Sequence, residues 1–352
     1  MKFGILVTAV HDGSVPPSRQ LGEDQALVQL ADDLGFTTMY VGQHFLADEI
    51  RFLQPVPYLA YLSHWSARMR LATGIALLSL LHPVDAAEQM ATLDAISGGR
   101  AVFGVGLGYS ETEFAAFGIP KASRVRRFEE SIAVLRQLWS GEPVDFTGEH
   151  FALKCAPSAV QPVQPGGIPI WIGGQSEPAV RRAARLGDAW YAAPFPTMHG
   201  LRDLRDTWVA ERQRLGLGVD GEFPVRRDLV IAPTREQALE RAYALTRKRY
   251  AAYARWGLDD SPAAAPTGWA SLAEEEIGRR FILGPPESCA EQLLELERDT
   301  GMTEFVYKPH WAGVPHEDGM RQLERFGSEV LPLLSAATPS TTPVMQHRER
   351  QK

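Results

Sequence analysis

Eight short β-like runs separated by helical patterns constrain this chain more than any other feature. The runs lie at residues 3–7, 37–42, 70–75, 101–105, 169–173, 189–192, 227–232 and 303–308. Helical patterns fill the intervals at 20–34, 57–67, 85–96, 124–140, 177–186, 201–215, 235–255 and 287–298, and a last one at 316–334 follows the eighth run. Such alternation gives a parallel sheet, because each helical crossover returns the chain to the same end of the sheet. Eight strands close a (β/α)8 barrel. The first four runs begin at residues 3, 37, 70 and 101, so the steps are 34, 33 and 31 residues. That is close to the ~30 residues of one βαβ unit. The expected fold is therefore α/β, a (β/α)8 TIM barrel.

Two longer steps place the decorations, as insertions after strands four and seven. The step from 101 to 169 is 68 residues and that from 227 to 303 is 76. Inside the first, the alternating segment around Thr147-Gly-Glu-His150 predicts an inserted hairpin at about 143–154. Inside the second, a Pro- and Ala-rich stretch predicts a mobile loop at about 257–272. Residues 1–335 are expected to form one barrel domain, with a disordered Ser/Thr/Pro-rich tail at 336–352.

Composition removes several classes of function. A formal net charge of −7 argues against a general nucleic-acid or anionic-membrane surface. The longest apolar run, 72–81, falls short of the ~18 residues that span a bilayer. Met1-Lys2 leads directly into a strand-like Phe-Gly-Ile-Leu-Val, so no signal peptide is expected. Cys155 and Cys289 are far apart and lack Cys-x-x-Cys spacing, which fits a reducing cytoplasm rather than a disulfide framework.

Three local signals carry chemistry. Ile170-Trp-Ile-Gly-Gly-Gln-Ser176 ends a strand in two glycines and opens a helix. That arrangement brings free backbone N–H groups and a partial positive charge to an anion, with Ser176 either capping the helix or donating to a phosphate. Gly104-Val-Gly-Leu-Gly108 is only a partial Gly-x-Gly-x-x-Gly, and it follows strand four rather than strand one, so a Rossmann dinucleotide site is not expected. His11, His44, His82 and His310 each follow a predicted strand, and a parallel barrel gathers such positions at its C-terminal mouth. No helix-spaced His/Glu pair marks a metal site, and no Gly-x-Ser-x-Gly nucleophile elbow occurs.

The middle block makes a family visible. His82-Pro-Val-Asp continues to Leu93-Asp-Ala-Ile-Ser-Gly-Gly-Arg100 and then to Gly104-Val-Gly-Leu-Gly108. This resembles the signature of the bacterial luciferase-like flavin-dependent monooxygenases. Val41-Gly-Gln-His-Phe45 resembles the strand-two acid–His site of that family, with Gln43 where an acid is more usual. Gly173-Gly-Gln-Ser176 through Ala183-Ala-Arg-Leu-Gly-Asp188 resembles its phosphate-loop helix, and Phe326-Gly-Ser-Glu-Val-Leu-Pro332 its C-terminal helix.

The resemblance implies a flavin site at the barrel mouth. A strand-three bulge with a cis peptide at Ala72, Thr73, Gly74 and Ile75 would lie under the ring. Gly106, Gly108, Tyr109, Gly173, Gly174, Gln175 and Ser176 would complete the cofactor site. Leu107 stands near where some members place a phosphate-binding arginine, which leaves the charge to the Ser176 loop and Tyr109. His44 would be the acid–base group, with His11, His82, His310 and Trp311 toward the substrate. Trp65, Trp171, Trp190 and Trp269 would add apolar lining if they face the mouth. The implied activity is a two-component monooxygenase that uses reduced FMN, bound or as a diffusing co-substrate, and O2 to oxygenate a small organic substrate. A separate flavin reductase, a homodimer and a cytoplasmic location go with it. The alternatives are an F420-dependent reductase or dehydrogenase of the same family and a non-catalytic flavin-binding barrel.

Overall fold

The structure, a computed structural model, describes residues 1–7, 11, 13–47, 50–256 and 274–337. The loop expected at about 257–272 and nearly all of the expected tail lie outside these residues. Eight parallel strands close on themselves: β1 (Lys2–Leu6), β2 (Thr38–Val41), β3 (Arg70–Thr73), β4 (Ala101–Gly106), β5 (Ile170–Gly174), β6 (Ala189–Ala192), β7 (Pro224–Arg227) and β8 (Glu304–Tyr307). Each pairs with the next, and β8 returns to β1 through Lys2 opposite Glu304 and Ile5 opposite Tyr307. The helices used below are α1 (Pro17–Asp33), α2 (Pro55–Leu62), α3 (Pro83–Ser97), α4 (Arg124–Leu138) and α5 (Glu177–Leu186). Gly98 ends α3 in the left-handed conformation at φ 68°, which a side chain would disfavour.

Strand seven departs from the expected span. The barrel uses Pro224–Arg227, whereas Leu229–Ile231 leaves it and pairs with Ile282–Gly284 in a separate two-stranded sheet. Arg226 and Arg227 are both buried. Arg226 faces the barrel interior, and Arg227 lies outside it, where Nη1 donates to the Ala193 carbonyl at 2.7 Å. Burial pushes the Arg227 guanidinium down to about 9. In the insertion after β4, Val144–Thr147 and Ala152–Ala156 form an antiparallel hairpin. Its turn is held by Glu130 of α4, which accepts from Glu149 N and His150 N, both at 2.9 Å.

Period-two alternation separates two cores. Ile5, Met39, Leu71, Phe103, Ile172, Trp190, Val225 and Phe305 pack outward against the helices. Leu6, Tyr40, Ala72, Val102, Trp171, Tyr191 and Val306 fill the barrel. At the N-terminal end, Glu304 accepts from Tyr40 Oη at 2.9 Å and from Arg70 Nη2 at 3.0 Å. This layer satisfies the buried carboxylate and closes the floor, leaving the site at the C-terminal mouth.

The strand ends pack unusually close. The Gly74–Ile75 peptide is cis, and the chain there presses against β4. A Cβ at residue 104 would lie 1.9 Å from the Thr73 carbonyl oxygen, and one at 106 would lie 2.1 Å from Ile75 Cδ1. Gly22, by contrast, is exposed in α1 with nothing within 4 Å of an added Cβ. Gly104→Ala should therefore destabilise the protein by about 2–3 kcal/mol or more. Gly22→Ala should stabilise it by roughly 0.5–1 kcal/mol. Urea unfolding of the two variants checks both signs; equal effects would contradict the close approach.

Candidate active site

The mouth is built from inward-facing residues at, or within one residue of, the strand ends: Leu6, Gly42, Gly74, Gly106, Gly173, Tyr191, Arg226 and Lys308. Four successive strands, β2 to β5, contribute glycine and leave bare backbone. The facing strands β6 to β8 contribute a tyrosine and two cations. Between them lies a cavity of about 410 Å3, within the usual range for cofactor sites. Lys121, Arg124, Arg226 and Lys308 line it, and no described aspartate or glutamate does.

Gln43 fastens the bulge. Its backbone N donates to the Ile75 carbonyl at 3.1 Å, its Oε1 accepts from Leu77 N at 2.8 Å, and its Nε2 donates to Gln54 Oε1 at 2.7 Å. Gln54 in turn donates to the His44 carbonyl at 3.3 Å. An ionised carboxylate at 43 could accept but not donate, so the amide makes both contacts where an acid makes one kind.

At the β5 end, Gly173, Gly174, Gln175 and Ser176 line the cavity at the N-terminus of α5. Ser176 is the N-cap by backbone position, but its side chain makes no capping hydrogen bond. Trp190 Nε1 donates to the Gly174 carbonyl at 3.0 Å and fixes this loop from behind. Lys121 and Arg124 reach the same cavity from the turn before α4 and from its first residue. Bare glycine backbone, a free hydroxyl and two cations at a helix N-terminus suit a phosphate on a flat ligand.

His44 follows β2 and is 15% exposed. Its Nδ1 lies 3.0 Å from Glu113 Oε1, which also accepts from Phe45 N at 2.7 Å. Glu113 is buried on the short helix Glu111–Ala116, and its Oε2 has no partner among the described residues. With Oε1 already an acceptor, Nδ1 carries the proton, and Nε2 is the ring atom left for chemistry. Phe52, Tyr109 and Trp256 surround the ring at centroid distances of 4.9, 5.6 and 5.1 Å. A second, more open cavity of about 540 Å3 shares His44 and Phe52 and is bounded by Phe45, Leu46, Arg51 and Phe117.

The other expected residues divide. Gly74, Gly106, Gly108, Tyr109, Gly173, Gly174, Gln175 and Ser176 line the cavity with His44. Ala72 and Thr73 lie beneath the bulge, with Thr73 Oγ1 donating to the Gly104 carbonyl at 2.6 Å. His82 caps α3, its ring accepting from Val84 N at 3.3 Å, and its ring packs edge-on against Phe151. His11 is buried against Asp24, with Nε2 3.1 Å from Oδ1, and its ring lies 5.8 Å from that of His310. His310 bonds the Val314 carbonyl at 2.8 Å, and Trp311 packs with Val230, Tyr250 and Phe281. None of these four borders the cavity described above. Trp171 and Trp190 are buried in the barrel interior and the outer core, Trp65 packs against that outer core, and Trp269 lies outside the described residues. Among the described residues no group of three or more His, Cys, Asp or Glu could hold a metal ion, and no helix is long and apolar enough to cross a membrane.

The sequence reading missed Glu113, Lys121, Arg124, Arg226 and Lys308. Ser110-x-x-Glu113 is a helix-start signature that marks the short helix, although here the glutamate serves His44. The two mouth cations on β7 and β8 follow from alternation once strand register is known.

The glycine-walled bulge, the loop at the start of α5 and the histidine after β2 meet at one end of the barrel. A family model described as luciferase-like monooxygenase matches residues 1–304. The chain belongs to that family. It is 28% identical over 314 residues to 4-hydroxyprotoasukamycin monooxygenase of Streptomyces nodosus subsp. asukaensis, covering 86% of this chain and 83% of that one. Its fold matches the oxygenating constituent of 3,6-diketocamphane monooxygenase from the CAM plasmid of Pseudomonas putida, solved with FMN, at a TM-score of 0.75 and 18% identity over 94% and 98% of the two chains. It also matches the coenzyme F420-dependent tetrahydromethanopterin reductase of Methanopyrus kandleri at a TM-score of 0.69 and 19% identity, over 95% and 99%.

His310 ties folding stability to pH. Burial, with His11, His316 and Lys308 nearby, pushes its ring down to about 4, against the pull of the Val314 carbonyl. The unfolded chain takes up a proton near pH 6.5 while the folded one resists, so this stability is present above 6.5 and is lost as pH falls toward 4. Between pH 7 and 4.5, His310→Asn should lose about 2–3 kcal/mol less unfolding free energy than wild type. Identical losses in urea titrations would contradict the burial argument.

Proposed function

We propose that this protein is the oxygenating component of a two-component monooxygenase that takes reduced FMN from a separate reductase and oxygenates a small organic molecule. The observation that carries the reading is the mouth cavity itself: a glycine-walled half with a phosphate-type end at Ser176, and a histidine with one free ring nitrogen at its edge. The similarity to 4-hydroxyprotoasukamycin monooxygenase over 86% of the chain is consistent with oxygenation. The family resemblance also favours a homodimer.

The residues present fit FMN. Ser176, the Gly174 and Gln175 amides, Lys121 and Arg124 would hold the phosphate, and the backbone at Gly74, Ile75 and Gly106 would lie against the ring. When bound, reduced flavin supplies the electrons that activate oxygen. The chain's own part is to exclude water and to manage a proton. Leu6, Ile75, Leu77, Phe52 and Phe195 line the cavity with apolar surface, which strengthens each hydrogen bond inside it. Glu113 keeps the His44 proton on Nδ1, so that Nε2 accepts or, in the protonated ring, donates a proton at the site's edge.

Two variants separate binding from chemistry. Ser176→Ala should weaken binding of reduced FMN by about 1–2 kcal/mol and leave riboflavin nearly unaffected; equal losses would make Ser176 a helix cap. His44→Ala should keep reduced FMN binding within a few-fold yet lower oxygen-dependent turnover by roughly 10²-fold. Wild-type protein that oxidises reduced F420 anaerobically and shows no oxygen-dependent turnover with reduced FMN would overturn the monooxygenase reading in favour of the F420-dependent reductases.

A further inference from the structure

If FMN fills the mouth from Ser176 to the bulge, the molecule to be oxygenated has to reach His44 from another side. The second cavity, of about 540 Å3, offers that side, since His44 and Phe52 border both cavities. The loop after β2 and the short helix Glu111–Ala116 frame it through Phe45, Leu46 and Phe117. Its larger polar side chains are already engaged. Arg51 Nη1 donates to the Val15 carbonyl, and Nη2 to the Gly13 carbonyl at 3.1 Å. Gln54 is held between Gln43 and the His44 carbonyl. What remains to meet a ligand is mainly apolar, three phenyl rings and a leucine. Leu46 is the telling residue. Its φ is 56°, in the left-handed region that leucine rarely adopts, and its side chain is 68% exposed. The conformation is costly, and burial within the chain offsets little of that cost. Phe117 is 41% exposed, with its ring edge-on to that of Phe45 at 4.7 Å. Large apolar side chains exposed around one cavity mark a surface that a ligand covers.

We infer that this second cavity is the substrate chamber and that it takes an uncharged aromatic group, which lies on Phe45, Leu46 and Phe117 while the rest of the molecule extends past Phe52 to His44. This rests on the reading of the mouth cavity as the flavin site. The occupant is the substrate because the cavity borders the histidine whose Nε2 is left for chemistry. Its chemical class follows from the walls. Aromatic rings pair with aromatic rings beyond what their buried area alone provides. An ionised group would give up its water and find the polar side chains of the wall already committed. Leu46 and Phe117, at the exposed rim, set the specificity.

The test is calorimetric titration of FMN-saturated protein with 2-naphthol, with 2-naphthoate and with 2-decalol. 2-Naphthol should bind saturably without raising the FMN dissociation constant, and about tenfold or more tightly than the charged 2-naphthoate. 2-Decalol, the saturated analogue, should bind about threefold or more weakly than 2-naphthol. Leu46→Asn keeps a residue that tolerates the left-handed backbone but removes the apolar surface. It should weaken 2-naphthol about fivefold and leave FMN affinity within about threefold. Phe117→Ser should act in the same sense, and should one variant fail to fold, the other decides. The inference is overturned if 2-naphthoate or 2-decalol binds as well as 2-naphthol, if 2-naphthol competes with FMN, or if the variants leave 2-naphthol binding unchanged. It is also overturned if Leu46→Asn instead dissociates the protein in sedimentation, since the exposed rim would then be a contact between copies. If FMN itself does not bind wild type, the proposed function fails, and the same titrations on the FMN-free protein decide the chamber alone.

Discussion

Backbone against backbone at the end of β3 is the contact on which the site depends. The Thr73 carbonyl sits where a Cβ at residue 104 would fall, and Ile75 fills the space a side chain at 106 would need. Protein interiors do not absorb a backbone overlap like that at 104 without moving a strand. Glycine at 104 is therefore a packing requirement of the bulge, whereas at 106 the neighbour is the end of the Ile75 side chain. Glycines at 42 and 173 extend the same bare surface to β2 and β5. The result is a barrel mouth with one half stripped of side chains and the other half crowded with Tyr191, Arg226 and Lys308. Under the proposed function, that bare half is the wall a flat ligand would lie against.

The polar contacts build outward from that surface. Gln43 bridges the bulge and the loop that leads to His44, so the ring position is coupled to the backbone it faces. Glu113 then fixes the ring through Nδ1 while holding the Phe45 amide, which ties the short helix after β4 to the loop after β2. Below, the Glu304, Tyr40 and Arg70 layer closes the barrel floor with its own partners. Chemistry is confined to one end because the other end is fully satisfied.

Much of this was legible in the sequence, for reasons that differ by element. The regular steps between the first strands are long-range consequences of a local repeat, and they survive without any tertiary information. His44 and the Gly173-Gly174-Gln175-Ser176 turn were readable because position at a strand end is enough to aim them. Strand seven was expected at 227–232, on the apolar run after Arg227, whereas the barrel strand ends at Arg227 and that run leaves the barrel. Burial of Arg226 and Arg227 is possible only where the first arginine faces a polar cavity and the second finds a backbone carbonyl, facts that no local pattern holds. Lys121 and Arg124 escaped for a similar reason: they reach the site from a turn and helix start far along the chain from the strand they serve. His82 looked like a mouth residue, yet it is also the residue before Pro83-Val84, and capping that helix is what it does.

The central claim is that the glycine half of the mouth receives the ring of FMN with its phosphate at the start of α5. A crystal structure of the protein with FMN tests it directly. The account predicts phosphate oxygens within hydrogen-bond distance of Ser176 Oγ and the Gln175 amide, the ring against Gly74, Ile75 and Gly106, and Arg226 on the open face. FMN bound with its phosphate at Arg226 and Lys308, or outside the mouth cavity, would contradict it.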